Sequence, residues 1–162
     1  MVIEVIVEAG AWDETALLAW SEAAEAALFV VLALDSDAYE AALLAADDAR
    51  IAALNGDFRD KPQPTNVLSW PSVERGAETP GEPPARPLPG PLGDIALAFG
   101  VCAREASAAG KPFGHHVTHL IVHGLLHLLG YDHQNERDAA LMEGVEIEAL
   151  ASLGIGNPYY RP

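Results

Sequence analysis

The six histidines of this 162-residue chain all fall between residues 115 and 133, in the segment HHVTHLIVHGLLHLLGYDH. Imidazole is the commonest metal-ligating side chain, and a helix places residues three and four apart on one face. His116, His119, His123 and His127, spaced by 3, 4 and 4, therefore form a single stripe. His123, His127 and His133, with Gly130 between the last two, spell H-x-x-x-H-x-x-G-x-x-H. His123 and His127 lie one turn apart and can share an ion. A further helical turn would carry a third ligand too far along the axis. Gly130 removes that difficulty, because glycine accepts the positive φ that ends a helix and lets the chain bring His133 back. Three neutral imidazoles leave a coordination position for water or substrate, the arrangement of a catalytic zinc site rather than a closed structural one. His115, His116 and His119 are expected at the helix start and on the pocket wall. Asp132 has two readings, a carboxylate that orients a histidine or acts as a base, and an ordinary turn residue.

One position limits the chemistry. Zinc proteases of the H-E-x-x-H type carry a glutamate base directly after the first histidine. Here that residue is Gly124. A metal still supplies Lewis acidity and an activated water, so phosphodiester cleavage stays open where peptide hydrolysis loses its base.

The formal net charge is -15, which argues against a general nucleic-acid binder. The charge is uneven: residues 1–50 hold 11 acids and one base, whereas residues 51–114 hold 7 acids and 6 bases. An anionic substrate is expected to approach that middle part, which includes Arg59, Lys61 and Arg75. A single cysteine, Cys102, excludes an intrachain disulfide and points to a reducing compartment. The N-terminus lacks the basic n-region of a secretory signal, and the longest apolar run, Ala26 to Leu34, is nine residues against the roughly 20 that a membrane span needs. A cytoplasmic protein with no membrane partner is expected.

The elements that must position the histidines follow from periodicity and turn chemistry. Strands are expected at Val2–Val7, Leu28–Leu34, Thr65–Trp70 and Gly93–Phe99. Helices are expected at Asp13 to about Ala27, Asp37 to Leu54 closed by Asn55-Gly56, Val101–Ala109, Gly114 or His115 to about Leu129, and Glu136 to about Leu153. Six of the 12 prolines fall between Pro80 and Pro91, so residues 71–92 form a loop. A mobile surface insertion is expected there, with a substrate-facing flap as the other reading. The predicted whole is one α+β domain over residues 1–162: a small mixed sheet of about four strands, about five helices and a metzincin-like metal-binding helix.

With these residues identified, the chain resembles the YbeY family of bacterial endoribonucleases, or rRNA maturation factors. The segment H-G-L-L-H-L-L-G-Y-D-H is similar to that family's signature. Leu54-Asn55 through Arg59, Lys61, and Pro64 through Pro71 resemble its central block. Leu92 through Ile95, and Met142-Glu143 with Glu146 followed by Leu153-Gly154 and Asn157-Pro158-Tyr159, match later stretches. The resemblance implies one Zn2+ held by His123, His127 and His133, and Arg59 as a catalytic residue facing the substrate. It implies cleavage of single-stranded rRNA precursor in maturation of the small-subunit 3′ end and in ribosome quality control, with the small subunit or assembly factors as partners. Asn66 and Ser69 are read as strand and turn residues. The acidity leads us to expect weak nonspecific RNA binding. Two other readings stand beside this one: a metal-dependent hydrolase of another substrate, and a non-catalytic assembly factor with a structural metal.

Overall fold

The computed structural model describes residues 2–59 and 63–160. Among these the chain forms β1 (Val2–Val7), α1 (Glu14–Leu32), β2 (Tyr39–Ala46), α2 (Asp48–Arg59), β3 (Val67–Pro71), β4 (Gly90–Ala98), α3 (Phe99–Ala109), α4 (Phe113–Leu128) and α5 (Glu136–Ser152). The sheet order is β1-β2-β4-β3, with β1, β2 and β4 parallel and β3 antiparallel to β4. The α+β class, the four strands and the five helices agree with the sequence reading, but the second strand lies elsewhere.

Leu28–Leu34 is not a strand. Its first part completes α1, which ends where Ala33 adopts a left-handed conformation (φ 54°) and its N–H reaches the carbonyls of Phe29 and Val30. The Ala-rich stretch before Leu28 favours helix, and the helix carries on through Phe29, Val30 and Val31 despite their lower propensity, with only one side of it covered. Leu17, Ala24 and Leu28 are fully buried on that side, whereas Val30 is 80% exposed. Conversely, the predicted helix from Asp37 to Leu54 breaks in two. Tyr39–Ala46 forms β2, the strand between β1 and β4, despite the helix propensity of Ala-Ala-Leu-Leu-Ala-Ala. Pairing on both edges outweighs local propensity, and small side chains fit where helices cover both faces. The two aspartate caps divide accordingly. Asp35 accepts from the Asp37 amide at 3.1 Å in a short 3-10 turn, and Asp47 accepts from the Arg50 amide at 2.8 Å at the start of α2. Asn55-Gly56 lies inside α2 rather than ending it.

Side chains alternate across the sheet as strand geometry requires. Leu43, Ala45, Ile95 and Leu97 face the main core, which also takes residues of α1, α4 and α5. Leu44, Ala46, Ala96 and Ala98 face a smaller cluster containing Ile51 and Leu54 of α2. By length and hydropathy α1 passes as a membrane span, unlike the nine-residue run noted above. In the fold it packs on α4 and α5, with Ser21 1% exposed among the buried residues. The covered side of α1 sets a direct test: Leu28→Ala should cost about 2–5 kcal/mol, and Val30→Ala less than about 0.5 kcal/mol, by denaturant unfolding. Equal costs would mean that this segment does not pack as a one-sided helix.

Candidate metal centre

α4 runs through the main core, and its buried residues Val117, Leu120, Ile121, Val122, Leu125 and Leu128 leave the histidine stripe on the remaining side. Its end is a Schellman turn: the Gly130 amide reaches the His127 carbonyl at 3.1 Å and the Tyr131 amide reaches the Leu126 carbonyl at 3.0 Å. Gly130 has φ 101°, and a Cβ there would lie 2.5 Å from the Arg75 carbonyl oxygen. Conformation and space both demand glycine. The turn returns His133 to the pair as expected. Ring centroids are 4.6 Å apart for His123 and His127, 5.3 Å for His123 and His133, and 5.1 Å for His127 and His133.

The ligand atoms of these three residues lie within 4.8 Å of one another. The Nε2 atoms of His123 and His127 are 3.1 Å apart. Two nitrogens at zinc-binding distance in tetrahedral geometry would be about 3.3 Å apart, so the pair is spaced to share one ion. The other ring nitrogens are occupied. His123 Nδ1 donates to Glu146 Oε1 at 2.5 Å, and His127 Nδ1 donates to the Tyr131 carbonyl at 3.0 Å. These bonds set the tautomer that leaves Nε2 free to ligate. The His127 pKa is lowered to about 4, first by burial and then by the neighbouring His123 and His133. A neutral ring is the form a metal needs.

Glu146 is the group the sequence reading missed as a site residue. It sits on α5 among Met142, Ala149 and Leu150 and is 0% exposed. A carboxylate at a core position of an otherwise apolar stripe was the available signal, since a buried charge requires partners. Burial alone would raise its pKa, but hydrogen bonds with His123 and the Tyr159 hydroxyl, and the nearby His119, leave it lowered. His119, expected on the pocket wall, instead lies behind the triad with its ring nitrogens buried, Nε2 3.8 Å from Glu146 Oε1. His116 pairs with Glu105 at 2.9 Å. Asp132 accepts from the His133 amide at 2.7 Å, the turn role of its two readings. Arg59 closes α2, and its side chain lies outside the described residues, as does Lys61.

The triad opens into a cleft of about 750 Å³ between the start of β3 and the proline-rich segment, lined by Asn66, Ser69, Glu74, Arg75, Glu82 and the histidines among others. The proline-rich segment is a fastened wall, not the loose insertion expected. The Arg75 guanidinium donates to the carbonyls of Leu128 (2.8 Å) and Leu92 (3.1 Å) and to Ser72 Oγ (3.0 Å). The Gly81 amide donates to Asp138 at 2.8 Å, and Tyr39 Oη donates to the Pro87 carbonyl at 2.8 Å. Arg75 is thus a strut, not a free cation awaiting a phosphate. Gly124 is buried, and a Cβ there would meet three Ile95 side-chain atoms at 3.1 to 3.3 Å.

A family model described as endoribonuclease YbeY matches residues 8–154. This chain belongs to that family. The endoribonuclease YbeY of Dinoroseobacter shibae is 54% identical over 99% of this chain and 91% of that protein. The one from Ruegeria pomeroyi is 54% identical over 98% of each. The solution structure of TM1509 from Thermotoga maritima aligns with a TM-score of 0.58 at 19% identity, covering 99% of this chain and 100% of that one, and shows the same fold.

Two outcomes follow from this geometry. Gly124→Glu, which restores the protease-type motif, should destabilise the metal-free protein by about 1–3 kcal/mol in denaturant melts, because the added Cβ presses on the Ile95 side chain at 3.1 to 3.3 Å. Acid should also destabilise the metal-free protein. The folded His127 pKa of about 4 lies below the unfolded value of about 6.5, so the unfolded chain takes up more protons between them. The stabilisation is therefore complete above about pH 6.5 and is lost as pH falls toward 4. Melting temperatures across that range should show a shallower decline in His127→Gln.

Proposed function

We propose that this chain is a metal-dependent endoribonuclease that cuts single-stranded RNA, with Zn2+ as its ion. The precursor of small-subunit rRNA, cut at its 3′ end in the cytoplasm, is the substrate we infer, with ribosome quality control as a further role. The single observation that carries the reading is the convergence of His123, His127 and His133 at the cleft of a chain with YbeY relatives at 54% identity. His123, His127 and His133 would hold the ion, which when bound would supply Lewis acidity toward a phosphoryl oxygen and a water acidified to a pKa of about 7.

The rest of the chemistry belongs to the protein. Glu146 and the Tyr131 carbonyl hold two imidazoles with Nε2 toward the cleft. Arg59 is the proposed phosphate-facing residue, since a guanidinium donates two parallel hydrogen bonds and keeps its charge. Glu74, Glu82, Asp132 and Asp138 also line the cleft and repel phosphates. That acidity supports weak binding of random RNA, with the small ribosomal subunit or an assembly factor supplying specificity. Glycine at position 124 counts against the amide-hydrolase alternative, because it supplies no base where the H-E-x-x-H proteases carry one.

Purified protein should cleave single-stranded RNA faster than duplex, and a chelator should abolish cleavage until Zn2+ is restored. The double variant His123→Ala, His127→Ala should be inactive; cleavage at the wild-type rate would refute the metal centre. Arg59→Ala should lose about 10²–10³ in kcat at an unchanged melting temperature. Retention of full activity would remove Arg59 from the mechanism and favour a non-catalytic or differently catalysed role.

A further inference from the structure

Behind the metal site, the chain after α5 folds back on that helix. The Ile155 amide bonds to the Leu150 carbonyl at 2.9 Å, and the Tyr159 amide bonds to Asn157 Oδ1 at 2.8 Å in an Asx turn. These bonds aim the Tyr159 ring inward, where its hydroxyl donates to Glu146 Oε2. The two oxygens of Glu146 are thereby divided: Oε2 takes Tyr159 and Oε1 takes His123 Nδ1 at 2.5 Å.

A competitor sits beside them. His119 Nδ1 and Nε2 are both buried and have no hydrogen-bond partner among the described residues, and Nε2 is 3.8 Å from Glu146 Oε1. A buried imidazole without partners attracts any acceptor within reach. A modest rotation of an unrestrained Glu146 would move Oε1 from His123 to His119. The Tyr159 ring opposes this in two ways: its hydroxyl anchors the carboxylate, and its edge packs on His119 at 5.8 Å and 87°. His119, His123 and Glu146 also have ligand atoms within 4.8 Å of one another, which raises a second metal as an explanation. The 2.5 Å between Glu146 Oε1 and His123 Nδ1 speaks against it, because two ligands of one ion stand roughly 3 Å apart.

We propose that Tyr159 is a positioning residue for the metal centre: the C-terminal tail holds Glu146 on His123 and off His119, so retention of the ion depends on docking of the tail. The proposal rests on the reading of His123, His127 and His133 as ligands.

The test uses the full chain, with Zn2+ affinity by competition against a chromophoric chelator, the visible spectrum of the Co2+ form, and the melting temperature of the metal-free form. Glu146→Gln should weaken Zn2+ binding about 10- to 100-fold. Tyr159→Phe, which deletes only the hydroxyl, should weaken it by a smaller factor and shift the Co2+ spectrum. Tyr160→Phe, altering an exposed neighbour, should match wild type in both. Zn2+ affinity within twofold of wild type and an unchanged Co2+ spectrum in Tyr159→Phe would overturn the proposal, leaving Tyr159 as packing. If Tyr159→Phe lowers the metal-free melting temperature, the Co2+ spectrum recorded below that temperature decides. His123→Ala separates the two levels: wild-type Zn2+ affinity in that variant would overturn the ligand reading itself.

Discussion

The reversal of the chain at Gly130 is the constraint on which the histidine cluster of the candidate metal centre depends. α4 alone presents two imidazoles in one direction, and no continuation of it can present the third. The Schellman turn stops the helix, and the positive φ of Gly130 redirects the chain so that His133 faces His123 and His127. The same turn supplies the Tyr131 carbonyl that orients His127. Its surroundings permit little change. The Arg75 backbone passes where a Cβ at residue 130 would sit, and the Arg75 side chain bonds to Leu128 just before the turn. One glycine therefore serves the helix end, the return of His133, the tautomer of His127 and the attachment of the proline-rich wall.

The sheet gives this turn something rigid to stand on. α4 is buried along most of its length against β4, α1 and α5, so the His123–His127 pair cannot drift without disturbing the core. Interiors packed to crystal-like density resist such shifts. The cost of the arrangement is Glu146, a carboxylate in the middle of an apolar helix face. Removing a carboxylate from water is expensive unless its lone pairs are satisfied, and here both oxygens are bonded. A buried polar group of this kind specifies one geometry where an apolar residue would tolerate several.

The cleft joins the two halves of the chemistry. One wall carries the histidines, and another is the proline-rich segment, fastened by Arg75 to the end of α4 and by Asp138 to α5. Prolines restrict the unfolded segment, so fixing it by a few hydrogen bonds costs less entropy than fixing an ordinary loop. Arg75 lies in the basic middle of the chain, yet its guanidinium is spent on carbonyls. The charge count of the sequence therefore overstated the cations available to a phosphate.

Local spacing carried much of the answer. The H-x-x-x-H-x-x-G-x-x-H pattern marked the three histidines that converge and the turn that joins them, because both are geometry within a few residues of one helix. The strand at Val2–Val7 and the helices α3, α4 and α5 were legible for the same reason. The chain from Leu28 to Leu54 was not. Its Ala- and Leu-rich stretches suit either state, and only pairing with β1 and β4 makes residues 39–46 a strand. Glu146 and Tyr159 belong to the tertiary structure as well: Glu146 lies 23 residues from His123 and Tyr159 a further 13 residues on, and no spacing rule links them. The sequence by itself determined which side chains can bind a metal. The fold decided what holds them in place, because orienting a ligand takes a partner brought through space by packing, not along the chain by periodicity.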